Sequence, residues 1–441
     1  MWSLAVPSRM ARGRVVITDA AQLVVGPANR PHPGGNGPPS DPRNVLEIIE
    51  SGGIIIEDGQ VVATGPADEI RSEYADLADE VIDASEQVVL PGFVDCHTHA
   101  IFAGDRSDEF AMKLRGKEYQ DILAEGGGIL RTVRAVREAS DAELRDRLRD
   151  HLDVMLAHGT TTVEVKSGYG LDTETELRLL QAIDDVRQNH PIRVAPTFMG
   201  AHAVPPDVST NEYVTEVIDE QLPAVAEQGI AQFCDVFCED GVFDVEQSKR
   251  ILLEGRSHGL TPKIHADEFV RLGGASLAAE IGAASADHLL QSTADDAVVV
   301  GESTVTPVML PGTAFGLDTP YARPRRFLDA GAELAIASDF NPNCHAPGMN
   351  FTVMLACVGM KLTPAEAIRA ATVGGAYALQ TDEETSDAVP EQVGSLQTGA
   401  PGDLIICDAP SIDHLPYRFG QNLCDTVIID GEVVVEPSNA M

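Results

Sequence analysis

The middle of this 441-residue chain alternates strand-like and helix-like segments eight times, a pattern that few architectures accept. The strand candidates are 93–97, 161–166, 193–199, 233–237, 262–265, 284–288, 304–309 and 333–338. Helical patterns lie between them, for example at 141–157, 173–189, 245–258, 274–281 and 325–330. Eight strands alternating with helices predict an α/β chain folded as a (β/α)8, TIM-like barrel. A doubly wound sheet is the alternative. No Gly-x-Gly-x-x-Gly opens a helix after a strand, which weakens a dinucleotide-binding reading.

The two ends are written in a different style. Residues 14–17, 53–63 and 87–90 are β-like, and Asp58-Gly59 between apolar runs signals a hairpin. Residues 394–396, 403–407 and 426–435 repeat that style near the tail. The expected organisation is a small β-domain built from residues 1–88 and 391–441, around a barrel over 89–390. The stretch 31–43, rich in Pro, Gly and Asn, reads as a surface loop. A chain of 441 residues is long enough for one large domain and a smaller one.

Charge bears on partners rather than on fold. Thirty-one basic and 69 acidic residues give a net charge of −38, and Lys occurs only six times. An acidic surface of this kind suits a salt-rich cytosol, where screening tempers its self-repulsion. It argues against nucleic-acid and anionic-membrane partners. No run of about 18 apolar residues is present. The segment Met1-Trp2-Ser3-Leu4-Ala5 lacks the basic-then-apolar layout of a secretory signal, so a cytoplasmic location is expected. The seven cysteines are scattered and odd in number, and read as reduced thiols. Cys234 and Cys238 lack a second pair at zinc-finger spacing and read as small residues on a buried strand.

In a parallel barrel the chemistry sits at the C-terminal ends of the strands. The polar residues of this chain fall there. His97 and His99 follow the apolar run 88–94, and in an extended segment residues i and i+2 face the same way. Later strand ends bring Lys166-Ser167-Gly168-Tyr169-Gly170, His202, Cys238-Glu239-Asp240, His265-Ala266-Asp267-Glu268, Asp287-His288 and Ser338-Asp339. A divalent transition metal takes about four to five ligands, and imidazole with carboxylate suits zinc or iron. His97, His99, His265 and Asp339 come from the first, fifth and last strand candidates, ends that a closed barrel gathers around one axis. Such a site keeps a position for water, whose pKa the metal lowers toward ~7.

Each residue also has a plainer reading. His265 or His288 alone would be a hydrogen-bonded strand histidine, and Asp339 before Asn341-Pro342 a turn residue. Lys166 as a carbamate bridging two metals finds no support in its neighbours. Gly126-Gly127-Gly128 lacks the Gly-Lys-Ser/Thr of a phosphate loop and reads as a tight turn before a helix. His151, His158, His190 and His258 read as surface residues on or beside helices. The joint occurrence of four donor residues at the right strand ends favours the metal site.

Several stretches carry a resemblance: 91–99 (PGFVDCHTH), 102–107 (FAGDRS), 125–129 (EGGGI), 164–171 (EVKSGYGL), 200–206 (GAHAVPP), 235–239 (DVFCE) and 285–289 (SADHL). On these motifs the chain resembles the amidohydrolase superfamily of metallo-dependent hydrolases and, within it, the enzymes that open the imidazolone ring in histidine degradation. The match covers roughly residues 50–435. It implies a metal-dependent barrel with a β-sandwich from both termini, usually as a homodimer. It also implies one Zn2+ or Fe2+/Fe3+ ion per subunit on His97, His99, His265 and Asp339. Arg106, Tyr169 and His202 would hold the substrate, with Glu268 beside its ring and His288 assisting proton transfer.

The implied reaction is hydrolysis of 4-imidazolone-5-propanoate to N-formimidoyl-L-glutamate. In that reaction Asp339 and His288 take a proton from water, and Glu268 delivers one to the leaving nitrogen. Arg106 offers a two-pronged fork to the propionate. The alternatives are another cyclic amidohydrolase or deaminase acting on a small anionic ring, or a barrel serving as an inactive scaffold. One departure stands out. After Asp339 the family runs Cys-Asn-Pro-Gly and then Ser or Thr, whereas this chain has Phe340-Asn341-Pro342-Asn343-Cys344. Asn341 matches the family's product-binding asparagine, and Asn343 and Cys344 fall at substrate-contact positions. A thiol is a weaker donor than the hydroxyl it replaces there.

Overall fold

The structure, a computed structural model, describes residues 13–27, 45–117, 121–122, 126–380, 389–390 and 392–436. The loop expected at 31–43 lies outside the described residues. The first strands are β1 Arg14–Pro27, β2 Leu46–Glu57, β3 Gln60–Pro66, β4 Glu80–Asp83 and β5 Val88–Pro91. The barrel strands are β6 Phe93–Asp95, β7 Thr160–Lys166, β8 Arg193–Ala201, β9 Phe233–Cys238, β10 Thr261–Ala266, β11 Ser285–His288, β12 Thr306–Met309 and β13 Ala335–Ile336. The tail adds β14 Leu404–Cys407, β15 Cys424–Ile429 and β16 Glu432–Val435.

Strands β6 to β13 form a parallel sheet in chain order, with helices as crossovers. Thr98 bridges Phe340 beyond the ends of β6 and β13, which closes the barrel seam. β7, β10 and β11 are buried along their whole length, as expected of strands covered on both faces. Polar side chains on such strands must therefore find partners inside. The crossover helices start where the sequence supplies caps. Ser140 accepts from the Glu143 N–H ahead of Asp141–Ala157, which buries Leu144, Leu148, Leu152 and Met155. Asp244 and Gln247 form a capping box ahead of Val245–Ser257.

The second sheet runs β16-β15-β14-β5-β1-β2-β3, with β4 beside β1. β5 joins the two ends of the chain, because it pairs with β1 on one side and β14 on the other, with Val89 opposite Leu23 and Ile406. Asp58 and Gly59 both have positive φ, 52° and 81°, in the tight turn between β2 and β3. Ile17, Leu23, Ile54, Ile56, Leu404 and Ile428 fill one face of this sheet.

One expected strand is much shorter than its pattern. The apolar stretch 333–338 contributes only Ala335–Ile336 to the ladder. Past it, the Ser338 N–H and hydroxyl donate to the Asp95 carboxylate at 3.0 and 2.5 Å, and Asp339 turns to φ 49°. Side-chain bonding thus replaces strand pairing just where the chain enters the site.

Candidate metal centre

β6 stops at Asp95, so His97 and His99 lie just past the ladder rather than within it. The Thr98–Phe340 bridge and a 2.9 Å bond from the His99 N–H to the Phe340 carbonyl keep the segment extended. Both imidazoles consequently share one face. β10 delivers His265, β11 ends on His288, and the turn after β13 delivers Asp339. His288 and Asp339 hold left-handed backbone, φ 75° and 49°, a conformation unfavourable to residues other than glycine.

These side chains converge. One donor atom each from His97, His99 and Asp339 lies within 4.8 Å of the others. Asp339 Oδ1 is 3.6 Å from His97 Nε2 and 3.7 Å from His99 Nε2, and His265 Nε2 is 3.3 Å from His99 Nε2. All four residues are buried, and His97 Nε2 has no hydrogen-bond partner. Burial, followed by the Lys166 charge, pushes His97 well below the ordinary histidine range. Burial followed by His202 does the same for His99. Neutral imidazoles with an inward lone pair, plus one carboxylate, are a donor set that fits zinc or iron. The Thr313 hydroxyl donates to Asp339 Oδ2, which leaves Oδ1 toward the histidines.

Behind the histidines lies a ring of buried charge that the sequence reading did not assign. Asp287 accepts from His97 Nδ1 at 2.6 Å and Asp235 from His265 Nδ1 at 3.1 Å. Such carboxylates fix the tautomer that points Nε2 at the centre. Lys166 Nζ donates to Asp235 at 2.7 Å and Glu164 at 2.8 Å, and Lys263 Nζ to Glu164 at 3.0 Å. Burial opposes the Lys166 charge, but Asp235, Glu164 and Asp287 outweigh it and hold the ammonium. A carbamate here would add negative charge beside three carboxylates. Burial also opposes ionisation of Asp235, yet His265 and Lys166 hold it well below the usual range. At Asp287 burial prevails, and its pKa rises to about 6 despite Lys263 and Lys166. The available signal was Glu164, Lys166 and Lys263 standing in otherwise apolar strand segments.

The proposed substrate residues border this cluster to different degrees. The His202 ring stacks on His99 at 4.7 Å and 19°, and Tyr169 lies 5.9 Å from His99. Burial lowers His202 to about 3. The loop carrying Tyr169 is held by Glu176, whose buried carboxylate accepts from the N–H groups of Gly168, Gly170 and Leu171. Gly168 has φ 100°, and a Cβ there would stand 2.9 Å from the Met199 carbonyl, so only glycine fits. Glu268 Oε1 is 3.6 Å from His288 Nδ1, and burial with Asp339 and Glu239 nearby pushes the Glu268 carboxyl well up. Glu239 accepts from the N–H groups of Phe269 and Val270 and so fixes the chain after Glu268.

Arg106 is buried and donates through Nε to Glu109 at 2.9 Å. Asn341 spends its amide on its own turn. It donates to the Asp339 carbonyl and carboxylate and accepts from the N–H groups of Asn343 and Cys344. Asn343 accepts from Lys113 at 2.6 Å. The Cys344 thiol is buried 3.8 Å from the Ser338 carbonyl, and burial pushes it up to about 12. The glycine triplet forms the expected turn, with Gly128 capping the helix Ile129–Glu138. His151 corrects the surface reading. It is half-buried, its ring stacks on Phe102 at 4.5 Å, and its Nδ1 lies 2.7 Å from the Ala100 carbonyl, because its helix packs against the segment that follows His99.

Comparison with known proteins agrees with this architecture. A model of the amidohydrolase family matches residues 111–435. The chain belongs to the amidohydrolase family. Among its relatives is a protein of Haloarcula marismortui named imidazolonepropionase, 57% identical over 425 residues, 96% of each chain. A protein of the same name from Halobacterium salinarum is 55% identical over 95% of this chain and 97% of its own length. The amidohydrolase barrel also superimposes on an adenosine deaminase of Xanthomonas campestris solved with bound zinc. That match has a TM-score of 0.70, covers 96% and 93% of the two chains and has 17% identity, a likeness of fold.

Proposed function

We propose that this amidohydrolase hydrolyses 4-imidazolone-5-propanoate to N-formimidoyl-L-glutamate in histidine degradation. The reading is carried by four buried donors, His97, His99, His265 and Asp339, at the mouth of a barrel whose near-full-length relatives bear the name imidazolonepropionase. Those four side chains would hold one zinc or iron ion, and either element accepts them. When bound, the ion lowers the pKa of a water and polarises the ring carbonyl.

The chain's own groups do the rest. Asp339 and His288 take the proton from the attacking water. Glu268, whose carboxyl is pushed well up by burial, gives a proton to the ring nitrogen as the carbon–nitrogen bond breaks. Arg106, anchored through Nε on Glu109, presents its remaining N–H groups to the propionate. Tyr169 and His202 form the wall beside the ring, and residues 341–344 close the far side. This division of labour suits a small anionic ring better than a neutral base.

The same reading places the enzyme in the cytoplasm as a homodimer, with residues 1–88 and 391–441 as one domain and 89–390 as the other. Its −38 charge is suited to high salt and leaves nucleic acid an improbable partner. No described helix is long and apolar enough to cross a membrane. The test is to assay purified protein for consumption of fresh imidazolone propionate at high salt, with zinc and iron counted in the same sample. Metal-loaded protein that leaves the substrate intact overturns the assignment.

A further inference from the structure

Besides the histidine trio His97, His265 and His288, two donor clusters that include carboxylates share this pocket. One consists of His97, His99 and Asp339, the other of Asp235, His265 and Asp287. In each, three buried donor atoms lie within 4.8 Å of one another. By residue type, either could hold a cation. Lys166 distinguishes them. Its Nζ is 2.7 Å from Asp235 Oδ2, 2.8 Å from Glu164 Oε1 and 3.9 Å from Asp287 Oδ2, and its side chain has no exposed surface. The other cluster has no such internal cation, and His97 Nε2 is left without a hydrogen-bond partner.

We infer that Lys166 stands in for a second metal ion. Its ammonium neutralises the Asp235–Asp287 pair, keeps both carboxylates turned to the imidazoles of His265 and His97, and limits the centre to one ion. Charge and space both support this. Glu164, Asp235 and Asp287 bring three carboxylates to one buried cluster, and Lys166 and Lys263 bring two ammonium groups. A divalent ion added between Asp235 and Asp287 would stand within a few ångströms of the ammonium. In a buried site that repulsion is poorly screened. Asp235 has both oxygens engaged, Oδ1 with His265 and Oδ2 with Lys166, whereas Asp287 Oδ2 serves His97 at 2.6 Å with Lys166 at 3.9 Å and its buried Oδ1 has no hydrogen-bond partner. Lys166 is thus a positioning residue: it acts through Asp235 and Asp287 on the proposed metal ligands.

The inference rests on the metal-centre reading, and one titration separates the two. Metal-stripped wild-type protein and Lys166→Ala are titrated with Zn2+, and with Co2+ for its absorption bands, and bound ions are counted per chain. The variant keeps all three carboxylates and vacates the space of the ammonium. Wild type is expected to saturate at one ion and Lys166→Ala at two, with a second set of cobalt bands. Should the variant fold poorly, Lys166→Ala/Glu164→Gln carries one fewer buried charge, keeps Asp235 and Asp287, and is titrated the same way. A single ion in the folded variants overturns the inference, as does a wild type that binds two. Failure of both variants to fold in excess zinc also counts against it, because a second ion would restore the missing charge. A wild type that binds none overturns the metal-centre reading itself.

Discussion

The two ends of the barrel strands are built on opposite terms. At the C-terminal mouth, Leu171, Asp267, His288, Leu289 and Asp339 all hold left-handed backbone, and buried histidines and carboxylates crowd together. At the base, Phe93 and Ile405 of the terminal sheet belong to one buried apolar cluster. A polar clamp joins the two sheets there, with Arg193 bonded to Asp403 at 2.7 and 3.1 Å and to Asp430 at 2.6 Å. Strain and desolvation at the mouth persist because well-packed structure elsewhere over-determines the fold. Substitutions at the mouth should therefore change chemistry more than folding, and substitutions at the base the reverse.

The sharpest test of that contrast is His265→Ala. It is expected to lose most of its metal and at least about 10³-fold in kcat/KM, the several kcal/mol a catalytic ion contributes. Elemental analysis beside the assay checks it, and full metal occupancy would remove His265 from the ligand set. Glu268→Gln should retain metal yet lose about 10²-fold or more in kcat. Its pH profile gives a further check. Glu268 serves in its protonated form, and burial raises its pKa. Wild-type activity should therefore fall as pH rises through that pKa, and the variant should lack this alkaline limb.

Arg106→Ala should raise KM roughly 10- to 100-fold, the range of a charge-assisted bond, with metal content unchanged. Unaltered KM would remove the propionate clamp. At the base, Arg193→Ala should cost about 2–4 kcal/mol, because it strands the buried Asp403 carboxylate, while kcat per folded molecule stays at the wild-type level. Denaturant midpoints and steady-state kinetics on the same sample would reveal whether the base reaches the chemistry after all.

The smallest effect is expected on the rim, where Arg271 grips Asp296 through two 2.7 Å bonds but is itself half exposed. Arg271→Ala should cost less stability near neutral pH than Arg193→Ala. The Arg271 bonds hold Asp296 below the usual carboxylate range. The contribution is therefore present above the unfolded pKa of about 4 and vanishes as pH falls through the folded value. Equal stability loss at every pH would contradict the ion-pair account.

Much of the architecture was legible because burial writes itself into period and composition. The helices Asp141–Ala157 and Gly274–Ile281 match their sequence patterns end to end. Met349–Val358 was not anticipated, since an apolar run without a polar face carries no helical period. The site divided in the same way. His97, His99, His265 and Asp339 were found because donors at successive strand ends form a recognisable series. Glu164, Asp235, Asp287 and Lys263 were given no role, since a lone charged residue in a strand shows no function until its partner is known.

The sequence alone determined the alternation that makes a barrel, the two-ended origin of the second sheet, and which residues stand at the strand ends. These follow from local periodicity and from chain order. Tertiary structure decided which charges meet. It put Lys166 rather than solvent between Asp235 and Glu164, turned Asn341 inward onto its own loop, and placed His202 flat against His99. The Lys166–Asp235 and His202–His99 contacts span tens to about a hundred residues of chain, and their strength comes from a shared, buried interior that no local stretch of sequence contains.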